Sequence, residues 1–320
     1  MKWKKLGKIF NPIDYNLINN CKFFAQAPQL IEFDDHVKIY FSSRETDLSG
    51  NQLSHVFFVE MEKNLSKVIN VSNHNIISLG KLGCYDEHGI FPFNVLKVDN
   101  KYLGFIGGWN RRSSVDVDGA IGISKSKDGG QTFERLGDGP VLASTLNEPF
   151  LIMDPFVLRL NNIFHMWYIF GVQWIRDPES GIYERVYKIG HAYSKDAYNW
   201  EKTGLCIIPD HLNKNECQAL PSVIFHDSRF HMVFCFRQVF EFRKNIKQAY
   251  RLGYAYSKDG INWTREDKKL NLKRPQKGWD SQMMCYPNLS KINGEIFLLY
   301  NGNNFGKYGF GAAQLSKNKF

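Results

Sequence analysis

Residues 151–171 read LIMDPFVLRLNNIFHMWYIFG, two apolar runs separated by a pair of asparagines. Pro155 precedes a short apolar run, Asn161 and Asn162 form a turn pair, and a second run rich in aromatic residues follows. Asparagine tolerates the positive φ of tight hairpin turns, and a proline at the first residue of a strand removes no ladder hydrogen bond that the strand needs. The stretch therefore predicts a β-hairpin that begins directly after Asp154.

The same hairpin pattern occurs five times along the chain. Each copy has a proline, a turn pair six or seven residues later and an aromatic second strand, and the prolines are spaced 64, 63, 66 and 66 residues apart. Three copies also end in a Ser-Lys-Asp turn before a further strand, within residues 122–137, 191–204 and 254–267. The five prolines are Pro28, Pro92, Pro155, Pro221 and Pro287.

This period predicts an all-β fold: a five-bladed β-propeller with four antiparallel strands per blade, in a single domain over residues 1–320. The last unit stops before its fourth strand, whereas the chain opens with MKWKKLGKIF, which resembles the fourth-strand segments of other units. We expect the N-terminal strand to close the last blade, which would remove an open sheet edge. Two stacked β-sandwiches are the alternative, but they do not account for the constant period.

The composition narrows the function classes. Lysine and arginine outnumber the acids by 41 to 32, but these charges are scattered apart from MKWKK at the start, which favours a solvated surface and no nucleic-acid partner. The six cysteines form no CxxC pair, so we expect reduced thiols. No apolar run has the length of a signal peptide or a membrane span, so we expect a cytoplasmic protein without a membrane span. No metal site and no cofactor are indicated, and a monomer or weak oligomer is expected.

In a propeller, functional residues are expected at one mouth of the central channel, because the first strand of each blade starts there and the second strand returns to it. The lining should come from residues just before the prolines and from residues about 16 positions after them. The insertions 172–188 and 239–251 are expected to overhang the same mouth as lids. Acidic, basic, amide and aromatic side chains converge there: Glu87, His88, Asp154, Glu216, Asp280, Arg44, Trp109, Arg111, Arg112, Arg237, Asn301 and Asn303.

With this pattern the chain resembles the five-bladed β-propeller glycosidases, namely glycoside hydrolase families 43 and 32 and, more loosely, the family 130 phosphorylases. The resemblance covers essentially all 320 residues as a repeat pattern, but only a few motif positions. In family 43 one Asp activates water, a second Asp orients and a Glu donates the proton. By position Asp154 matches the second Asp and Glu216 matches the Glu, although the local match at Glu216 is poor.

Ala27 stands where the water-activating Asp of that family is expected. Inverting hydrolysis needs two carboxyl groups about 6.5–9.5 Å apart, so either Asp86, Glu87 or Asp280 supplies the base or no water is activated. Phosphate is already an anionic nucleophile and needs positioning by guanidinium groups instead. The arginines at the mouth would serve this purpose, as cationic side chains do in family 130 enzymes.

The resemblance implies a carbohydrate-active enzyme that cleaves or transfers a glycosyl unit, hydrolase-like or phosphorylase-like, on an anionic or phosphate-containing glycan or sugar phosphate. Its catalytic residues would be Asp154, Glu216 and Glu87, and the other mouth residues would bind substrate. The alternative is a catalytically inactive propeller that binds a glycan or a protein, which the missing Asp favours. Sialidase-like chemistry fits less well: SKDGGQTF at 126–133 is similar to the sialidase Asp-box, a structural turn, but five blades differ from six.

Simpler structural roles stay open for several of these residues. Trp109 suits sugar stacking or the core. Arg44 and Arg237 would bind an anion or pair with an acid. Glu216 is also consistent with a solvated loop acid, and His88 with a loop histidine rather than a general acid or phosphate ligand.

Overall fold

A computed structural model describes residues 1–320, with the exception of the Asn318 side chain. Its helices are short: α1 (Asp267–Leu270), α2 (Asn303–Gly306) and the 3-10 turns Pro12–Asp14 and Ser316–Asn318. No helix in the described residues has the length and hydropathy needed to cross a membrane. The strands are β1 (Trp3–Phe10), β2 (Gln26–Glu32), β3 (Val37–Thr46), β4 (Gln52–Met61), β5 (Val68–Val71), β6 (Gly89–Val98), β7 (Lys101–Asn110), β8 (Asp118–Ser126), β9 (Glu134–Arg135), β10 (Ile152–Leu160), β11 (Ile163–Arg176), β12 (Tyr183–Ser194), β13 (Glu201–Lys202), β14 (Cys217–His226), β15 (Arg229–Arg237), β16 (Arg251–Ser257), β17 (Trp263–Arg265), β18 (Cys285–Ile292), β19 (Glu295–Asn301) and β20 (Phe310–Leu315).

The strands form antiparallel four-stranded units. Three are separate sheets with the strand orders β10-β11-β12-β13, β14-β15-β16-β17 and β1-β20-β19-β18. The other strands form an eight-stranded sheet, in which the antiparallel ladders β2–β5 and β6–β9 are joined by one parallel pair, Ser54 with Gly89. β1 pairs antiparallel with β20, so the N-terminal strand completes the last sheet as the sequence predicts. The all-β fold with antiparallel four-stranded sheets is confirmed.

The first strands of successive repeats lie side by side. β2 contacts β6, β6 contacts β10, β10 contacts β14, β14 contacts β18, and β18 contacts β2. Buried amides join them: Asn94 donates to Gln29 Oε1 and accepts from the Val157 amide, both at 3.0 Å, and Asn288 accepts from the Leu30 amide at 3.1 Å. Because buried polar groups need partners, these bonds fix the first strands to one another.

Each repeated proline lies inside its first strand, at a register break, rather than at the first residue as the sequence suggested. A β-bulge at this point accommodates the missing N–H, which explains the difference. The residue before the proline has a positive φ in four repeats: 51° at Ala27, 55° at Asp154, 47° at Leu220 and 53° at Tyr286. Bulges re-aim side chains and are frequent beside functional sites.

The Ser-Lys-Asp turns are held by carboxylates. Asp128 Oδ1 accepts hydrogen bonds from the Gln131 and Thr132 amides, both at 2.9 Å, and Asp196 and Asp259 bind their own turns in the same way. Burial alone would raise the pKa of Asp128, but hydrogen bonds from Thr132 and other turn groups lower it to about 2. These motifs therefore stabilise turns, as the sequence predicts.

Large apolar side chains fill the space between the sheets. Trp167, Phe41, Phe57, Phe105 and Phe234 are fully buried. Burying an aromatic side chain of this size contributes about 1.5–3 kcal/mol relative to exposure. This packing holds the bulges of the first strands around a common cavity.

Candidate functional site

A cavity of about 310 Å³ lies where the first strands begin. Four of the five residues that precede the repeated prolines line it: Phe91, Asp154, Leu220 and Tyr286. The repeat pattern thus brings distant segments of the chain together as predicted, and the volume suits a small ligand. The polar and aromatic residues that complete the lining are Arg44, Gln52, Ser54, Trp109, Asp116, Arg185, Tyr187, Arg243 and Tyr250.

Asp154 is the buried carboxyl group of this cavity, with 3% of its surface exposed. Its Oδ2 accepts one hydrogen bond, from the Leu220 amide at 3.1 Å. Burial raises the pKa of Asp154 to about 7, although the Leu220 amide and the positive charge of Arg185 oppose the rise. A carboxyl group with this pKa retains a proton near neutral pH and can donate it to a ligand.

Three arginines line the same cavity. Arg185 pairs with Asp116 at 3.1 Å and Arg243 pairs with Glu184 at 2.7 Å, whereas Arg44 hydrogen-bonds an amide oxygen at 2.9 Å and has no ion pair among the described residues. A guanidinium group carries five N–H donors, and one hydrogen bond is formed by each of these three. The remaining donors suit an anionic group such as a phosphate or a carboxylate.

Tyr187 and Tyr250 also line the cavity, and their hydroxyl groups are hydrogen-bonded to each other. Arg237 donates from Nε to Tyr187 Oη at 3.1 Å, and its guanidinium carbon lies 3.5 Å from the centre of the Phe242 ring. Arg237 is only 1% exposed and does not line the cavity. Aromatic rings cover Arg237, and its Nε contacts one of the two tyrosines. Substrate contact by Arg237 stays a prediction that these surroundings do not favour.

The sequence and the fold of this chain were compared with those of known proteins. No protein-family model matches the chain. Two uncharacterized proteins of Mycobacterium tuberculosis, MT1551 of strain CDC 1551 / Oshkosh and Rv1502 of strain ATCC 25618 / H37Rv, are each 29% identical to it over 316 residues, which is 98% of this chain and 99% of theirs.

Solved structures match over nearly the whole chain. A glycoside hydrolase has a TM-score of 0.71 at 17% identity, covering 98% of this chain and 92% of its own. A thermostable family-43 glycoside hydrolase has a TM-score of 0.63 at 13% identity, covering 91% and 87%. An endo-arabinase from Bacteroides thetaiotaomicron has a TM-score of 0.61 at 14% identity, covering 98% and 100%. The chain has the propeller-like glycosidase fold. The resemblance that the repeat pattern predicts is thus confirmed at the level of the fold.

Within the glycosidase fold, Glu216 is kept away from the cavity lining. Its Oε1 pairs with Arg265 at 2.5 Å and accepts from Gln218 at 3.1 Å, and its Oε2 accepts from the amides of His211 and Leu212 at 3.0 and 2.9 Å. A general acid must reach the glycosidic oxygen, and these contacts hold the carboxylate elsewhere. A catalytic role for Glu216 stays a prediction that its surroundings do not favour.

Glu87 and His88 are also absent from the cavity lining. Glu87 Oε2 accepts from the Gly83 amide at 2.9 Å, and His88 Nδ1 accepts from the Arg111 amide at 3.3 Å. Burial and the charge of Arg111 lower the pKa of His88, which disfavours a cationic imidazole at neutral pH. Trp109, whose ring stacks on that of His88, does reach the cavity.

The two remaining arginines predicted at the mouth do not line the cavity either. Arg111 donates from Nη2 to the Gln52 carbonyl at 2.6 Å, and Arg112 forms an ion pair with Asp118. Arg44 is therefore the one predicted arginine that reaches the cavity lining of the described residues.

The last three predicted substrate-binding residues, Asp280, Asn301 and Asn303, do not line the cavity that contains Asp154. Asp280 is buried and pairs with Lys5 at 2.6 Å. Asn301 accepts from the Ala27 amide at 2.9 Å and so satisfies the backbone next to the first bulge. Asn303 lines a separate cavity of about 140 Å³. The predicted substrate-binding role of these three is not supported by their positions.

Sequence reasoning missed Arg185, Tyr187, Arg243 and Tyr250 as individual site residues. All four lie in the insertions 172–188 and 239–251, which the sequence predicts as lids. The sequence signal for these residues is the length of the two insertions, which exceeds that of the corresponding segments in the other repeats. Within the described residues, no group of three or more His, Cys, Asp and Glu side chains is arranged to hold a metal ion.

Proposed function

We propose that the protein is a five-bladed propeller enzyme that cleaves or transfers a glycosyl unit of an anionic or phosphate-containing glycan. Asp154 carries the proposal, because it is a buried carboxyl group whose pKa lies near 7 and which lines the cavity together with three arginines. Asp154 donates its proton to the leaving glycosidic oxygen as the bond from that oxygen to the anomeric carbon breaks. Arg44, Arg185 and Arg243 hold the anionic group.

The contacts between first strands support the finer fold assignment. β2, β6, β10, β14 and β18 contact one another in sequence order, and β18 contacts β2 again. This is the arrangement expected if five four-stranded units surround one channel. The joined eight-stranded sheet then comprises two blades linked by a single bridge.

An anionic nucleophile suits this cavity better than water does. Attack by water needs a second carboxyl group, either as a base about 6.5–9.5 Å away or as a nucleophile about 5–5.5 Å away. Ala27 supplies none, and Asp116, the other carboxyl group of the lining, is paired with Arg185 and has 56% of its side chain exposed. A phosphate or carboxylate oxygen needs no deprotonation, and the arginines offset its charge. Phosphorolysis or transfer to an anion is therefore favoured over hydrolysis.

The test compares the native chain with Asp154→Asn. Oligosaccharides are incubated in phosphate buffer, and release of sugar 1-phosphate and of free sugar is measured. Removal of a general acid should lower turnover by about 100-fold or more, whereas Asp138→Asn, a change at an exposed residue paired with Lys81, should not. Turnover by Asp154→Asn at the native rate would contradict the proposal.

A catalytically inactive, glycan-binding or protein-binding propeller is the second candidate. It is favoured by the absence of a second unpaired carboxyl group from the described cavity lining. Thermal-shift measurements at fixed ionic strength would compare phosphate, sugar phosphates, nucleotide sugars, sialic acid and neutral oligosaccharides. A stabilising ligand that undergoes no reaction, and that Asp154→Asn binds as well as the native chain, would support this candidate.

A further inference from the structure

Arg237 is a buried cation without a carboxylate partner. Its Nε donates to Tyr187 Oη at 3.1 Å, and its Nη1 donates to the carbonyl oxygens of Gln238 and Val239 at 2.8 and 3.0 Å. No carboxylate of the described chain lies within ion-pair distance of this guanidinium. A buried charge is costly when unpaired, so neighbouring dipoles must compensate for it. Two hydroxyl groups lie beside this guanidinium: that of Tyr187, which accepts its Nε–H, and that of Tyr250, which is hydrogen-bonded to Tyr187.

The hydrogen-bond count of the tyrosine pair leaves one proton over. The two hydroxyl groups have two protons, and one of them forms the bond between Tyr187 and Tyr250. Arg237 has only donors, so it cannot accept the second proton. No other hydrogen bond from either hydroxyl group is formed within the described residues. Because both tyrosines line the cavity, this proton can be donated to an oxygen atom inside the cavity, either of a water molecule or of a ligand that displaces it.

Other buried tyrosines of the chain have different partners. Tyr168 donates to Glu148 at 2.7 Å, and Tyr300 donates to Asp280 at 3.0 Å, so each gives its proton to a protein carboxylate. The Tyr187 hydroxyl instead faces a fixed cation. Burial raises the pKa of Tyr187, so it remains a donor rather than a tyrosinate nucleophile.

The same holds for the second hydroxyl group, since burial raises the pKa of Tyr250 as well. A chain of hydrogen bonds that starts at a cation polarises each successive O–H group. The hydroxyl group at the end of this chain, which still has a free proton, therefore favours a negatively charged oxygen over a neutral one, because charge-assisted hydrogen bonds are stronger.

We propose that the Tyr187–Tyr250 pair, held by Arg237, donates a hydrogen bond to an anionic phosphate or carboxylate oxygen of the ligand in the cavity that contains Asp154. This inference rests on the proposed function, since it names a donor for the same anion that the arginines bind. Arg237 is a positioning residue, because it acts through the tyrosines and does not line the cavity. The anion is then bound by neutral hydroxyl groups as well as by guanidinium groups.

Binding of inorganic phosphate and of glucuronic acid to the full chain, measured by calorimetry at fixed ionic strength, tests this role. In Tyr187→Phe or Tyr250→Phe the remaining hydroxyl group still has a free proton, so affinity should fall by about threefold at most. The double variant lacks both donors and should lose about tenfold or more, in line with a charge-assisted hydrogen bond. Neither change alters the net charge. Weaker binding of phosphate alone, or of glucuronic acid alone, would identify which anion the pair serves.

Tyr168→Phe is the matched control, because Tyr168 is a buried tyrosine outside the cavity lining. The affinity of this variant for both anions should stay within about twofold of the native value. Arg237→Gln should reduce anion affinity like the double variant, while Arg237→Lys, which keeps the charge, should restore part of it. Suppose that the double variant binds both anions as tightly as the native chain and that Arg185→Gln binds them more weakly. This inference is then overturned, and the proposed function is not. If the native chain binds neither anion, the proposed function is overturned together with it.

Discussion

Replacing Asp154 with asparagine should change how the free energy of unfolding depends on pH. Burial raises the pKa of Asp154 to about 7 in the folded protein, whereas an aspartate in an unfolded chain titrates near pH 3.9. Between these values the folded protein retains a proton that the unfolded chain has released. The stabilisation from this group is therefore fully present below about pH 4 and is lost as the pH rises through about 7.

The size of this effect follows from the two pKa values. A tenfold difference in proton affinity is worth about 1.4 kcal/mol, so the native chain should lose up to about 4 kcal/mol between pH 4 and pH 8 through Asp154 alone. Asparagine cannot ionise and lacks this loss. The free energy of unfolding of Asp154→Asn, relative to native, should thus rise by about 2–4 kcal/mol over the same interval.

Urea unfolding followed by tryptophan fluorescence at pH 4.5, 6, 7 and 8, at constant ionic strength, measures the difference. Asp138→Asn is the control for the loss of one formal negative charge, since Asp138 is exposed and paired with Lys81. Parallel pH curves for native and Asp154→Asn would refute the reasoning. They would mean that Asp154 is already ionised in the folded protein at pH 5 and holds no proton to donate at neutral pH.

Three further substitutions test other parts of the structure. Glu216→Gln should destabilise the fold by about 1.5–3 kcal/mol, because Arg265 loses one of its two carboxylate partners and keeps Asp267. Loss of turnover without loss of stability in denaturation would instead indicate a general acid. Asp128→Ala should cost about 1–2 kcal/mol through the lost turn hydrogen bonds and leave phosphate affinity in calorimetry unchanged. Gly122→Ala places a Cβ 1.6 Å from the Tyr85 hydroxyl oxygen and should cost about 1–3 kcal/mol, seen as a lower Tm; an unchanged Tm would show that Tyr85 moves without cost.

The repeat pattern predicts much of the fold because it is set by local rules. Proline spacing, turn pairs and aromatic second strands each follow from backbone chemistry within a few residues. The same register places the residues before the prolines together, which is why the sequence alone predicts that Asp154 lies at this mouth. The resemblance of MKWKKLGKIF to the fourth-strand segments likewise predicts the pairing of β1 with β20.

Partners that are remote in the chain could not be predicted in this way. Glu216 has the position of a catalytic acid, but its partner Arg265 lies 49 residues further on, and no local signal links the two. Arg185 and Arg243 lie in insertions that have no repeat register, so their approach to the cavity depends on tertiary packing. The sequence therefore located the mouth better than it identified the side chains that complete it.

The residues before the prolines also indicate which chemistry the cavity can perform. Ala27, Leu220 and Tyr286 adopt the same positive φ as Asp154, so the bulge itself does not require an aspartate. Asp154 is then best explained by its carboxyl group, and that group is present at one position of the five. Asp154 can give a proton to a leaving oxygen, whereas Asp116, the other carboxyl group of the described lining, is paired with Arg185. The three arginines around Asp154 suit a nucleophile that is already an anion. This balance of protons and charges, rather than the fold, is the reason for proposing transfer to an anion instead of hydrolysis.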